Sequence, residues 1–212
     1  MSENKVVISV APVAHVGTVI PPGAKNPVAP EDIAAEVIGC AAAGASMVHL
    51  HVRDETGEQT ADLGVYTRTL DLIRRETDIV IQGSTGGKST LSLAERCVSI
   101  NEPRTQVASL NMGSVNFGEG VYVNTLPDIR FWVAEMKKLG VVPELEIFDV
   151  SMLGTIDQLV AEGVLVPPLN YNFCLGFHGA LLADPRHLYY LSSLLPSGAQ
   201  LPASAKSSVG LL

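Results

Sequence analysis

"MVHLHVRDETGEQTADLG", residues 47–64, opens on an apolar run in which every second residue is a different kind of side chain. Successive residues of an extended chain point to opposite faces. Met47, His49 and His51 therefore share one face, and Val48, Leu50 and Val52 share the other. The second face suits burial beneath helices. The first carries two of the chain's five histidines to the open end of a strand. Two imidazoles so placed are spaced to bind one metal ion, with zinc at about 2.0–2.1 Å per Zn–N bond. The same spacing also fits a hydrogen-bonded pair of core histidines.

Working outward, β-branched runs at residues 6–11, 46–51, 79–82, 106–111, 142–148 and 170–175 read as strands. Between and after them, stretches of helical period lie at 30–43, 66–76, 91–99, 127–138, 155–162 and 185–194. The first helix starts on Pro30-Glu31-Asp32, a proline with acids in its first turn, and others stop at Gly140 and Gly163. No hairpin signal interrupts this alternation, which predicts an α/β fold with a parallel sheet covered by helices. Polar residues gather at the C-terminal ends of the strands: His49 and His51, Ser84, Asn111, Glu146 and Asp149. Both an open doubly wound sheet and a TIM-type (β/α)8 barrel place their sites there. The even strand spacing favours the barrel, of which about six βα units are legible.

Composition narrows the function. Of 212 residues, 47% are hydrophobic and 17% charged, which excludes a polar disordered chain. A net charge of −8 argues against nucleic acid or an anionic membrane surface as partner. The start, "MSENKVVISVAP", carries no apolar signal core, and no apolar run reaches the roughly 18 residues of a membrane span. Cys40, Cys97 and Cys174 are odd in number and set in apolar contexts, as reduced thiols are. The expectation is a soluble cytoplasmic protein; acidity alone says nothing about its substrates.

The candidate site residues follow the strand ends. "QGSTGG", residues 82–87, offers free N–H groups in an anion-binding nest and a Ser84 hydroxyl for a carboxylate, or else is a plain strand-to-helix turn. The following "KST" does not make a nucleotide loop, because that motif needs glycine where Gln82 stands. Lys88 then reads as a solvated helix-start residue. Ser109 and Asn111 alternate onto one face and either line the site or cap the next turn. Glu146, if buried, pairs with a cation in the site or with a structural arginine. His15 and His178 face the same mouth as weaker candidates for ligand contact, and His187 sits in a helix.

Taken together, "GASMVHLHVRDETGEQTADL", "LIRRETDIVIQGSTGG", "ASLNMGSVNFG", "VVPELEIFD" and "FCLGFHGAL", in this order, resemble the β-keto acid cleavage enzyme family, which includes 3-keto-5-aminohexanoate cleavage enzyme. The resemblance implies a zinc-dependent (β/α) barrel that condenses a β-keto acid with acetyl-CoA and releases acetoacetate and a new acyl-CoA. It implies His49 and His51 as Zn2+ ligands, and Ser84, Gly87 and Ser109 as substrate-binding residues, to which Asn111 is added from its strand face. Some members carry a glutamate after the first strand that reads the substrate's far end; this chain has His15-Val16 at about that place.

The resemblance further implies two more strands, the last with an arginine and a Glu-Asp pair supplying a substrate clamp, the third zinc ligand and the catalytic base. Residues 196–212, "PSGAQLPASAKSSVGLL", contain no such motif. The expectation is thus a single barrel domain over 1–212, incomplete at its C-terminus, with catalytic residues unassigned and catalysis severely reduced or absent, the latter being a catalytically inactive truncated barrel. Strands left open at the sheet's edges would favour a homo-oligomer. An amidohydrolase-type metal hydrolase, which also uses H-x-H in a barrel, is the competing class, although its pair sits on the first strand rather than the second.

Overall fold

The computed structural model describes residues 7–14, 18–87 and 89–196. The β-branched runs form strands β1 (Ser9–Val10), β2 (Met47–His49), β3 (Val80–Ser84), β4 (Val107–Asn111), β7 (Val142–Ile147) and β8 (Asn170–Phe173), with β5 (Val115–Phe117) and β6 (Gly120–Tyr122) forming a separate hairpin. These six strands pair in parallel in the order β1-β2-β3-β4-β7-β8, each beside its neighbour in that sequence. The sheet is part of a (β/α)8-type barrel, curled and not closed among the described residues. His15, Lys88 and the 197–212 tail lie outside the described residues.

Helices cover one face. α1 (Pro30–Ala42) and α2 (Leu63–Ile73) bury Ile33, Val37, Leu70 and Ile73 against Val48, Leu50 and Ile81. α4 (Leu126–Leu139) and α5 (Ser151–Ala161) bury Trp132, Met136, Ile156 and Leu159 against Leu110, Leu145, Ile147 and Tyr171. Helix starts are set by side-chain caps. Asp62 accepts from the Gly64 N–H, and Thr125 and Asp128 make a reciprocal capping box. After α4 the chain turns at Gly140, whose φ of 72° favours glycine. α6 (Pro185–Leu194) follows β8.

The opposite face of the sheet is polar and buried. His49, Gln82, Ser84, Ser109, Asn111, Glu144, Glu146 and Asn172 all alternate onto it. Parallel register sets Gln82 beside His49, Ser109 beside Ser84, and Glu146 between Asn111 and Asn172. Asn172 Nδ2 donates to Glu144 Oε1 at 2.7 Å. Functional groups are thereby gathered on the inner face and apolar mass on the outer one.

Beyond shifts of a few residues at element ends, three features differ most from expectation. The uninterrupted βα alternation is broken by an antiparallel hairpin of β5 (Val115–Phe117) and β6 (Gly120–Tyr122), joined through Gly118-Glu119. Gly118 at φ 60° makes that two-residue turn feasible. The expected helix over 91–99 is instead one short turn, α3 (Leu93–Arg96), followed by a 3-10 turn over Val98–Asn101. β3 runs to Ser84 rather than stopping at Gln82: the Ser84 N–H donates to Ser99 Oγ at 3.0 Å, and that hydroxyl donates back to the Ser84 carbonyl. A side chain at Gly83 would strike the same hydroxyl, its Cβ 2.6 Å away.

A charged network ties α2 to the turn before β4. Buried Glu102 accepts from Arg104 Nε at 2.7 Å and from Thr67 Oγ1 at 2.8 Å. These hydrogen bonds, Arg104 first, pull the Glu102 carboxyl from near 4.5 down to about 2. A carboxyl depressed in the folded state stabilises fully above its unfolded value and loses that contribution as pH falls through the folded one. Glu102→Gln is therefore expected to cost on the order of 2–3 kcal/mol at pH 7, a gap that narrows by pH 3. Urea titrations at the two pH values check this; an equal loss at both would assign the effect to shape rather than charge.

Candidate active site

At the C-terminal ends of the strands lies a cavity of about 560 Å³. From β2 come His49 and, just beyond the strand, His51; both line it. Their Nε2 atoms stand 3.0 Å apart with the rings tilted by 71°. His49 Nδ1 lies 2.8 Å from Gln82 Oε1. An amide oxygen only accepts, so Nδ1 carries the proton and His49 Nε2 presents its lone pair to the cavity. Two zinc bonds of about 2.05 Å at a tetrahedral angle set their nitrogens about 3.3 Å apart. The pair thus fits a shared metal, with Gln82 as the outer partner that fixes the ring. Among the described residues no cluster of three or more histidine, cysteine or acidic groups is suited to a metal.

Beside the histidines, the β3 exit forms a compact turn. Ser84 Oγ accepts from the Gly86 N–H at 2.8 Å and from Ser109 Oγ at 3.3 Å. Thr85 is tied down through its N–H and hydroxyl, both donating to the Ser109 carbonyl. Gly86 has no room for a side chain: a Cβ would sit 2.6 Å from Tyr122 Oη and 2.9 Å from Ser84 Oγ. Gly87 has φ 145°, outside the range L side chains readily adopt. Ser84, Gly87 and Ser109 all line the cavity. Asn111 does not: its Oδ1 accepts from the Gly113 N–H at 3.2 Å, which is the turn-capping role, and its Nδ2 has no partner among the described residues.

The hairpin forms the far wall through Phe117, Val121 and Tyr122. Arg96 holds it in place. Its guanidinium donates to the Val123 carbonyl at 2.7 Å and the Thr85 carbonyl at 3.2 Å, and stacks 4.3 Å from the Trp132 ring. Burial, with the Glu146 charge adding to it, pushes the Tyr122 hydroxyl up to about 12, so it stays a neutral donor near pH 7. Glu146 and Phe148 close the β7 side, and Arg53 and Val13 the β1 side. His178 is exposed and contributes only its carbonyl, to the Gly118 N–H, while His187 bonds the Leu182 carbonyl at 3.0 Å; neither lines the cavity.

Several lining residues were not singled out from sequence. Gln82, which stands behind His49 rather than in the cavity wall, was legible in principle, two residues before Ser84 on the same strand face. Gln59, Arg53 and Tyr122 were not, because they come from a loop bridge and a hairpin whose placement is tertiary.

Comparisons with known proteins bear on this arrangement. A family model described as beta-keto acid cleavage enzyme matches residues 5–209. The 3-keto-5-aminohexanoate cleavage enzyme of Acetoanaerobium sticklandii is 36% identical over 82% of this chain and 64% of its own length. The 3-oxoadipate:acetyl-CoA acetyltransferase of Cupriavidus necator is 35% identical over 80% of this chain and 61% of its own. The chain thus spans a little under two thirds of the length of these curated relatives. In fold it is similar to the apo structure of ObcA, with a TM-score of 0.62 and 22% identity, over 76% of this chain and 38% of that one. With a model match over nearly its whole length and relatives above 30% identity, the chain belongs to the beta-keto acid cleavage enzyme family.

Proposed function

We propose that this cavity is the metal- and keto-acid-binding part of a site that exchanges acyl groups between a β-keto acid and acetyl-CoA. In that reaction the bond between the keto carbon and the carboxymethyl carbon breaks, and the carboxymethyl group joins the acetyl unit to give acetoacetate. CoA passes to the released acyl group, so atoms balance with no net proton. The observation that carries the reading is the pair of Nε2 atoms 3.0 Å apart beside the Ser84 turn, with His49 fixed by Gln82.

His49 and His51 are the proposed zinc ligands. When bound, zinc would supply a Lewis acid for the keto acid's oxygens. Ser84, Ser109 and the Gly87 N–H would hold the carboxylate with neutral donors. The Phe117, Phe148 and Phe177 rings, with Phe177 5.1 Å from each of the other two, keep water from the hairpin side. Asn111 acts beneath the site, on the Gly113 turn, rather than on substrate. Cytoplasmic location and homo-oligomer formation belong to the same proposal. β1 and β8 bound the sheet, and Tyr189, Tyr190 and Leu194 of α6 are exposed, features that favour association. No helix among the described residues is long and apolar enough to cross a membrane.

The test is calorimetric titration of the zinc-loaded chain with acetoacetate, together with labelling of acetoacetate from labelled acetyl-CoA. That exchange requires no knowledge of the natural acyl group. Saturable binding weakened by Ser84→Ala, with zinc-dependent labelling, is expected. Absence of binding and labelling at every zinc concentration would contradict the proposal.

A further inference from the structure

Two polar side chains reach the Ser84 turn from different sides, and the proposed chemistry has used neither. Tyr122 comes from the hairpin and Gln59 from the loop after β2; both are half-buried and line the cavity. The Tyr122 hydroxyl enters where Gly86 lacks a side chain. It lies 2.6 Å from the point a Cβ would occupy, and Ser84 Oγ lies 2.9 Å from the same point. Gln59 Nε2 stands 3.0 Å from the corresponding point on Gly87. The two glycines thus leave room for two polar heads to close on one turn.

Each head is held in place and has a proton to give. Gln59 is fixed through its backbone, which bridges to Arg53 across a tight loop. Asp54 closes that loop: its N–H donates to the Glu58 carbonyl at 2.9 Å, and its Oδ1 accepts from the Glu58 N–H at 3.0 Å. The Gln59 amide, by contrast, is taken up by no partner among the described residues. Tyr122 is fixed by its neighbours. Its ring packs 6.0 Å from Phe117, and Ser89 ties the strand end down by donating to the Val121 carbonyl and accepting from the Val123 N–H. Arg96 acts on the phenolic oxygen as a donor, which leaves the hydroxyl proton for an acceptor in the cavity. Ser84 is in the same state, because its Oγ already accepts from the Gly86 N–H and the Ser109 hydroxyl.

The turn therefore presents the Ser84 and Tyr122 hydroxyls, the Gln59 amide and the Gly87 N–H, all neutral donors. An ionised carboxylate accepts at about four lone-pair sites. We propose that Tyr122 and Gln59 are further substrate-binding residues, donating to the keto acid's carboxylate from either side of the Ser84 turn. This rests on the keto-acid reading of the cavity. Hydrogen bonds to an ionised acceptor are shorter and stronger than neutral pairs, so losing either donor should be visible in binding.

The experiment measures dissociation constants of acetoacetate for the full chain with zinc present, in wild type, Tyr122→Phe, Gln59→Leu and Gln59→Glu, alongside zinc content. Tyr122→Phe removes only the hydroxyl and keeps the ring on Phe117. It is expected to weaken acetoacetate about tenfold with zinc unchanged, and Gln59→Leu to do the same. Gln59→Glu matches glutamine in shape but sets a like charge against the ligand, and should lose the most, about 30-fold or more. That order separates contact from scaffolding, since a structural role would tolerate the isosteric glutamate better than leucine. Should Gln59→Leu fail to fold, Tyr122→Phe and Gln59→Glu decide. Wild-type affinity in Tyr122→Phe, or a Gln59→Glu that binds as well as wild type or better than Gln59→Leu, overturns the proposal. In either case a wild type that binds acetoacetate leaves the keto-acid reading standing; a wild type that binds none removes both.

Discussion

Replacing His49 and His51 together by alanine is expected to reduce bound zinc from about one equivalent per chain to background, while the fold is retained. The two Nε2 atoms stand 3.0 Å apart and would both be removed. The substitution leaves the apolar outer face of β2, Val48 and Leu50, against the helices. Elemental analysis after gel filtration reads the metal, and circular dichroism reads the fold. Equal zinc in wild type and variant would remove the metal assignment. Gln82→Leu provides a graded companion. It takes away the acceptor that fixes His49, and such outer partners typically contribute 10–100-fold in metal affinity. It also deletes Gln82 Nε2, a buried donor with no partner among the described residues, which offsets part of the cost of leaving the His49 Nδ1–H without its acceptor.

Gly86→Ala should have the second-largest effect, on keto acid rather than metal. The added Cβ would lie 2.6 Å from Tyr122 Oη and 2.9 Å from Ser84 Oγ, closer than real contacts allow. Neither neighbour can easily retreat. The Tyr122 ring packs 6.0 Å from Phe117 and lies over Arg96, and Ser84 is held through the Ser99 hydroxyl and the Ser109 hydroxyl. Relief must come from the turn itself, which moves the Gly87 N–H away from where a carboxylate would sit. Acetoacetate affinity is expected to fall at least 30-fold with zinc content unchanged, and thermal stability to drop by about 1–3 kcal/mol for the overpacking. Ser84→Ala, which removes one acceptor without a clash, should cost less, about 1 kcal/mol. Unaltered acetoacetate binding in Gly86→Ala would place the carboxylate elsewhere.

The elements legible in the sequence were those whose cause is local. β2 was readable because Val48 and Leu50 alternate with His49 and His51, and α1 because Pro30, Glu31 and Asp32 mark its start. α2 begins three residues earlier than its periodicity suggests, at Leu63, because the decisive signal is the Asp62 cap rather than the apolar stripe from Tyr66. The hairpin was hidden for a different reason. Phe117 and Val121 are both exposed, so its short strands carry no contrast between a buried and a solvated face. Their stability comes from Arg96, which reaches the Val123 carbonyl from α3 in a contact no spacing rule encodes.

The site divides along the same line. His49, His51, Ser84 and Gly87 were visible because each lies at or just past a strand's C-terminal end, where the fold class gathers function. Asn111 shared Ser109's face, but one further step along β4 turned its side chain to the Gly113 turn. Arg53 stands two residues after His51, yet its place in the cavity wall, with one Nη on the Ala14 carbonyl, is set by tertiary contacts that no spacing rule encodes.

On the proposed reading, one cavity holds a metal between His49 and His51 and a keto acid's carboxylate on the Ser84 turn. Anomalous diffraction at the zinc edge, from crystals soaked with zinc and acetoacetate, tests it most directly. One strong peak is expected within bonding distance of both Nε2 atoms, about 2.0–2.1 Å, with ligand density reaching Ser84 Oγ and the Gly87 N–H. A peak elsewhere, or a metal on the histidines with acetoacetate bound outside this cavity, would contradict it.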